Sequence, residues 1–220
     1  MLVGKGITRR SSFSFTPSSE LLRRVRSHDD IWLDTKVVCS KPCHGINLIS
    51  TELEDYLYNP CTGFCRVYDT PSYGFVPEAG HAFGLGRKNV GLGFNLSTQD
   101  HVIVEMFYHV KDFKSRRYFL TCMVCECGRG SVLDCFPPPL PVSDMPPAYL
   151  AGALYWMTDP RLGDGDARAV VSFDITRSEF GVFPCPPCIA LWNSTSASSA
   201  FVVELEGTIC AVLEVHVQLS

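Results

Sequence analysis

Short apolar runs separated by clusters of proline and glycine are the feature that most limits how this sequence folds. The runs are Val102–Tyr108, Tyr118–Cys127, Ala169–Ile175, Phe201–Leu205 and Ile209–Val217. Their length, alternation and content of β-branched and aromatic residues predict β-strands. The clusters, at 71–80, 137–147, 159–166 and 184–187, predict loops within a domain. A helix is an alternative only at Ser19–Arg26 and Glu52–Tyr58, and neither has a long helical period. We therefore predict an all-β fold.

A loose repeat runs through the chain. A glycine leads an apolar run at Gly45, Gly93, Gly152 and Gly207, at spacings of 48, 59 and 55 residues. After the first three, an apolar run closes on an Asn or Asp, at Asn59, Asn95 and Asp174. Repeats of roughly 40 to 50 residues with several short strands are typical of propeller blades. The spacing therefore favours a β-propeller, or part of one, built of short antiparallel strands.

The charge distribution separates a basic leader from an acidic body. Residues 1–28 hold six of the 19 Lys and Arg but one of the 23 Asp and Glu, so the remainder carries a net charge of −9. An acidic body does not offer the basic surface that nucleic acids require, and we expect no nucleic-acid partner. Residues 1–35 are predicted to form a disordered tail, with an organelle transit peptide as the alternative. No apolar run reaches the roughly 18 to 20 residues of a membrane-spanning helix, so we expect no membrane partner.

The 11 cysteines allow two interpretations. Their odd number and the length of the chain favour reduced thiols in the cytoplasm or nucleus over a secreted disulfide scaffold. Cys122-x2-Cys125 and Cys185-x2-Cys188 would supply the four thiolates of a zinc site. Side chains alternate along a strand, however, so Cys122 and Cys125 are expected on opposite faces. Buried apolar thiols are the favoured interpretation, and a cysteine-ligated zinc or thiol protein is the alternative.

The sequence signals for redox or nucleophilic chemistry are weaker. The segment Cys185-Pro186-Pro187-Cys188 is similar to a redox motif, but its prolines predict a loop instead of the helix start that lowers a thiol pKa. His44, His81, His101 and His109 are available partners for a catalytic cysteine, yet no local pattern singles out a nucleophile. We predict no catalytic, cofactor-binding or metal-binding residue, and the partner-binding residues are left unassigned.

Three further features have structural interpretations. The glycines of 84–86 and 91–93 run into a strand, so we interpret them as turn and close-approach positions, not as a dinucleotide-binding fingerprint. Pro137–Pro141 is interpreted as an ordered loop, with a polyproline II ligand as the alternative. Trp192, in a small and polar stretch, is the tryptophan that we expect at a surface contact.

Four stretches of sequence resemble one known family. They are HGINLI with YLYNPCTG (44–49 and 56–63), GLGFNLSTQDHVIVEMFY (91–108), PPAYLAGALYWMTDP with VVSFDITRSEFGVFPCPP (146–160 and 170–187), and VVELEGTICAV (202–212). In order and spacing these blocks resemble the F-box-associated domains of plants, which are kelch-like propellers. The resemblance covers residues 36–220, which we expect to form one such domain.

The resemblance implies a binding function without catalysis. Known members recognise the protein that a cullin-type (SCF) ubiquitin ligase modifies, so the expected partner is an unidentified protein substrate. Residues 1–35 lack the L-P-x-x-L opening of an F-box, so the Skp adaptor is expected to bind only if an F-box is supplied elsewhere. The family continues with further strands after the last block, and the propeller is therefore expected to be C-terminally incomplete. A truncated product without a dedicated role is a further alternative.

Overall fold

The computed structural model describes residues 2–4, 36–39, 42–50, 54–69, 88–164, 168–186, 189 and 200–213. The chain divides into two compact units, Met1–Lys88 and Asn89–Ser220. The strands are β1 (Leu2–Gly4), β2 (Lys36–Cys39), β3 (Asn47–Ser50), β4 (Glu54–Tyr58), β5 (Cys65–Asp69), β6 (Lys88–Asn95), β7 (Asp100–Asp112), β8 (Arg117–Glu126), β9 (Ser131–Cys135), β10 (Ala148–Leu150), β11 (Ala153–Met157), β12 (Ala169–Asp174), β13 (Glu179–Pro184), β14 (Ala200–Leu205) and β15 (Thr208–Leu213). No helix in this part of the chain is long and apolar enough to cross a membrane.

The strands form four sheets, in each of which neighbours in sequence are neighbours in space. Sheet 1 holds β1 to β5, sheet 2 holds β6 to β9, sheet 3 holds β10 to β13, and sheet 4 holds β14 and β15. Within the predicted leader, the described residues are those of β1, which pairs antiparallel with β2. The prediction of an all-β fold of short antiparallel strands is confirmed.

Two-residue turns explain three of the four repeat glycines. His44-Gly45, Ala151-Gly152 and Glu206-Gly207 each have positive φ at both residues, with glycine φ angles of 82°, 84° and 74°. A pair of positive φ angles defines the type I′ turn, whose twist matches that of the flanking strands. Glycine adopts this conformation without the steric cost that a Cβ imposes. The repeat therefore marks tight hairpins.

Longer hairpin loops explain the Asn and Asp that follow the repeat. The side-chain Oδ1 atoms of Asn59, Asn95 and Asp174 each accept hydrogen bonds from the backbone N–H groups two and three residues later. The fourth residue after each of them, Gly63, Gln99 or Ser178, has a positive φ. Asn and Asp favour such loops because their short side chains satisfy the turn's own backbone donors.

The core of the second unit lies between sheets 2 and 3. Its buried side chains come from alternate positions of the facing strands and include Val104, Met106, Cys122, Trp156 and Phe173. A smaller apolar cluster joins sheets 3 and 4. Consecutive residues of β7 from Val102 to Met106 are all buried. Because consecutive strand residues point to opposite faces, sheet 2 is covered on both sides along this stretch.

Several sequence predictions are refined by the structure. The apolar runs at 102–108, 118–127, 169–175 and 201–205 are confirmed as strands, and the run from Ile209 is a strand to Leu213. The helical alternative at Glu52–Tyr58 is wrong, because β4 occupies Glu54–Tyr58. Ser19–Arg26 lies outside the described residues.

Gly93 departs from the repeat, because it lies within β6 instead of leading a strand. It is a close-approach position: a Cβ there would lie 2.2 Å from Ile175 Cδ1. Gly91 is also a close-approach position, since a Cβ added there would lie 2.6 Å from Pro147 Cγ. The close-approach interpretation of these two glycines is confirmed, and residues 84–86 lie outside the described part of the chain.

Candidate functional site

Three loops of the second unit meet at one edge of sheets 2 and 3. The turn between β7 and β8 is joined to the loop after β11, since Gly163 N donates to Arg116 O (2.7 Å) and Arg116 Nη2 donates to Pro160 O (3.0 Å). The segment before β10 is joined to the same loop by Asp159 N, which donates to Pro141 O (2.9 Å). We call the group Lys111, Phe113, Asp144, Asp159 and Arg161 at this edge the rim. Backbone hydrogen bonds thus fix the loops that carry it.

An ion pair with one buried partner lies at the centre of the rim. Arg161 donates from Nε to Asp159 Oδ1 (2.9 Å) and from Nη2 to Asp159 Oδ2 (2.8 Å). The Asp159 side chain is 2% exposed, whereas that of Arg161 is 56% exposed. Bidentate pairing of this kind fixes the plane of the guanidinium as well as its position. The buried Asp159 carboxylate therefore fixes the Arg161 cation in one position at the surface.

The electrostatics of this pair favour its charged form. Burial alone would raise the pKa of the Asp159 carboxyl, but the hydrogen bonds and positive charge of Arg161 outweigh it and hold the pKa below its usual value. The hydrogen bond to Asp159 in turn raises the pKa of Arg161. Arg168, buried at the end of the same loop, has its pKa lowered by desolvation. Asp159 is therefore ionised at neutral pH, and Arg161 stays charged.

Phe113 lies between the two cations of the rim. Its ring is 4.4 Å from Arg161 Cζ and 5.5 Å from Lys111 Nζ, and the residue is 43% exposed. Lys111 also lies 4.7 Å from the Tyr108 ring and pairs with Asp144. Aromatic and arginine side chains held rigidly at a surface are the residue types that dominate binding energy at protein interfaces. Two residues of the rim, Phe113 and Arg161, are of the types that dominate binding at protein interfaces.

Buried hydrogen bonds support the rim from below. The Tyr108 hydroxyl donates to Val142 O (2.9 Å) and accepts from Val142 N (2.8 Å). Asn89 accepts from Trp156 Nε1 (2.7 Å) and donates from Nδ2 to Ser143 O (2.6 Å). The segment that leads to Asp144 is therefore held at both its ends by side chains of the core.

The three described cysteines among the zinc candidates, Cys122, Cys125 and Cys185, do not converge. Cys122 lies opposite Cys135 on β9, whereas Cys125 lies opposite Val132. Three residues apart on one strand, Cys122 and Cys125 point to opposite faces. Cys185 is buried in the cluster between sheets 3 and 4, with its Sγ 3.8 Å from Met157 Sδ, and Cys188 lies outside the described residues. Within the described ranges, no three His, Cys, Asp or Glu side chains form a group able to hold a metal ion.

The described histidines lie in separate places. His44 is in the turn before β3, with a φ of 47°. His101 packs edge-on against Phe94, with ring centroids 5.1 Å apart. His109 bonds to Thr121 Oγ1 (3.0 Å) and packs against Phe107 and Phe119. His81 and Trp192 lie outside the described residues.

The ordered-loop interpretation of Pro137–Pro141 is confirmed. Pro138 and Pro141 are buried, and Pro141 O accepts the hydrogen bond from Asp159. A polyproline II ligand must present its prolines to a partner, which burial of these two prevents.

A cavity of about 570 Å³ lies between sheets 3 and 4. Among its described lining residues, the only side chains that are not hydrocarbon are those of Tyr155, Cys185 and Cys210. Small-molecule sites usually add several convergent polar groups that orient the ligand. The rim is therefore the stronger candidate site.

The rim was not predicted from the sequence, which marked 159–166 only as a loop. One signal was present: Phe113 is the single apolar residue in the charged segment KDFKSRR, 111–117. Its pairing with Arg161 is set by the tertiary structure.

Comparison with known proteins identifies no family. No protein-family model matches the chain, and no curated protein is similar to it.

Proposed function

We propose that the chain is a protein-binding domain that acts without catalysis, of the kelch-like propeller kind that supplies substrate recognition to SCF ubiquitin ligases. The observation that carries the proposal is the rim, where a buried carboxylate anchors Arg161 beside the half-exposed Phe113. The resemblance to F-box-associated domains supports the same function. The bound partner is a protein, and the Skp adaptor binds only where an F-box is supplied by another chain or segment.

The propeller architecture is part of the proposal. Each sheet keeps its strands in sequence order, as propeller blades do. Strands β3 and β7 have runs of consecutive buried residues, so both faces of their sheets are covered. A blade needs such cover because it cannot bury both faces alone.

The chemistry of the rim suggests what the partner presents. A fixed guanidinium favours a carboxylate, and the ring of Phe113 favours an apolar or aromatic side chain beside it. Loops on a rigid scaffold are the usual place for such recognition, because they vary without disturbing the core.

The experiment compares the whole chain with three variants as baits in a quantitative pull-down from plant extract. The variants are Arg161→Ala, Phe113→Ala and, as the control, Arg177→Ala, whose side chain is 75% exposed in the turn between β12 and β13. The Kd of each enriched protein is then measured with purified components. Loss of an interface hot spot costs about 2 kcal/mol or more, so the first two variants should bind roughly 30-fold more weakly or worse.

The control should bind like the unaltered chain. Equal binding by all four baits would place the contact elsewhere and overturn the assignment of the rim. If no protein is retained specifically by the unaltered chain, the proposed binding function fails.

A further inference from the structure

The pairing of β8 with β9 brings two cysteines face to face. Cys122 and Cys135 are partners in the antiparallel register, and both are free thiols. Residues directly opposite in such a pair have Cα atoms roughly 4.5 to 5.5 Å apart. A disulfide requires a Cα separation of roughly 4.4 to 6.8 Å. The backbone therefore already has the spacing that a bond between the two sulfurs needs.

The two thiols differ in their access to solvent. Cys122 is 1% exposed and belongs to the core between sheets 2 and 3. Cys135 is half-buried, ends the edge strand β9 and precedes Phe136, which is 88% exposed. In its neutral form Cys135 donates to Ser178 O, in the turn between β12 and β13 (3.7 Å). An oxidant in solution therefore reaches Cys135 before it reaches Cys122.

Hydrogen bonding prepares the outer thiol for reaction. The hydrogen bond from the Cys122 thiol lowers the pKa of Cys135 to about 7. The same hydrogen bond, together with burial, raises the pKa of Cys122. The thiolate is the reactive form of cysteine, so Cys135 is suited to attack and Cys122 to react afterwards.

We propose that Cys122 and Cys135 form a redox-active dithiol, which closes to an intramolecular disulfide when a hydroperoxide oxidises it. The Cys135 thiolate attacks the O–O bond of the peroxide and becomes a sulfenic acid, while the leaving oxygen takes up a proton as water or alcohol. The sulfur of Cys122 then attacks the sulfenic sulfur. The S–S bond forms, the S–O bond breaks, and the hydroxyl leaves as water with the proton of Cys122. Two electrons pass from the two sulfurs to one peroxide.

Closure would act at the edge of sheet 2. The bond would join β8 to the edge strand β9 and restrain the segment between them. Cys125 is the natural comparison, since it lies on the same strand but opposite Val132. Its opposite residue on the other neighbouring strand, β7, is Ile103, so the described register places a cysteine opposite Cys122 and not opposite Cys125. The pairing therefore predicts which of the cysteines of β8 reacts.

The test oxidises the whole folded chain with hydrogen peroxide, blocks the remaining thiols with N-ethylmaleimide and maps the peptides by mass spectrometry. We expect a peptide pair that links Cys122 to Cys135, has lost two hydrogen atoms and separates on reduction with dithiothreitol. The link should be absent from Cys135→Ser and present in Cys125→Ser, the matched control. Non-reducing electrophoresis should show a monomer, because the bond is within one chain.

A second measurement follows the rate of Cys135 alkylation against pH in the unoxidised protein. The alkylation rate should reach half of its maximum near pH 7. A thiol with an ordinary pKa would still be mostly protonated at that pH and would react more slowly. Oxidation of Cys135 to sulfinic acid without the linked peptide would overturn the proposal. So would a linked peptide that joins Cys122 to another cysteine, or one that persists in Cys135→Ser.

Discussion

Two polar contacts in the second unit, Trp156 with Asn89 and Arg161 with Asp159, have different surroundings. In the first, both side chains are buried, and Asn89 Nδ2 also donates to backbone carbonyls of the segment 143–145. In the second, the carboxylate is buried but the cation is 56% exposed. Loss of a buried hydrogen-bond partner leaves a desolvated group unsatisfied, whereas an exposed cation returns to water. The first contact should therefore control stability, and the second should control what the surface presents.

The largest expected effect is that of Trp156→Ala. Truncation of this fully buried ring leaves a cavity between sheets 2 and 3 and removes the donor to Asn89. Such changes cost about 3–5 kcal/mol of unfolding free energy, which is a large share of the stability of a domain. Urea unfolding followed by circular dichroism measures the loss. An unchanged midpoint would contradict the assignment of Trp156 to the core.

If Trp156→Ala does not fold, Trp156→Phe gives the sharper comparison. It keeps most of the apolar volume but leaves the Asn89 oxygen without its donor, at a cost of about 1–3 kcal/mol. In the folded fraction of either variant, Arg161 and Phe113 should keep their positions, because the two loops that carry them are joined by their own hydrogen bonds.

A smaller effect is expected from Tyr108→Phe, which tests the hydrogen bonds that join the core to the segment before β10. The change removes one hydroxyl and leaves both the N–H and the carbonyl of Val142 without that partner. Buried groups left in this way cost about 1–3 kcal/mol, so the urea midpoint should fall. A midpoint equal to that of the unaltered chain would show that the backbone at Val142 finds other partners.

The smallest change in stability is expected for Asp159→Asn at neutral pH. Asparagine keeps an oxygen that can accept from Arg161 N and Nε and removes a buried charge together with its desolvation cost, so the unfolding free energy should fall by about 1 kcal/mol or less. Arg161 would lose its charged anchor, and partner binding should weaken more than stability does. A loss of stability as large as that of Trp156→Ala would remove the distinction between the two contacts.

Acid titration gives a further comparison between Asp159→Asn and the unaltered chain. The folded-state pKa of Asp159 lies below its ordinary value of 3.8. Its contribution is therefore complete above pH 3.8 and is lost as the pH falls through the lower pKa of the folded state. Between neutral pH and that range, the unaltered chain and Asp159→Asn should differ by a constant amount of unfolding free energy. The difference should shrink below pH 3.8.

The fold class could be predicted from the sequence because strand signals are local. Runs such as 102–108 carry the alternation and side-chain types that a strand needs, and the Asn and Asp after them satisfy their own turns. Glu52–Tyr58 was less certain because it is short and its pattern fits either element. Pairing with its neighbours β3 and β5 makes Glu54–Tyr58 a strand. Gly93 was assigned to the repeat because composition does not distinguish a turn glycine from one pressed against a neighbouring side chain.

The sequence by itself determined the all-β class, the five strands that its apolar runs predicted and the positions of several turns, since these depend on residues close together in the chain. The tertiary structure alone decided which distant side chains meet: Arg161 with Phe113 across two loops, and Cys122 with Cys135 across two strands. Local patterns carry no information on such meetings, because each depends on the register and packing of several strands at once. A shift of one residue in the register would turn the facing cysteines to opposite faces of the sheet.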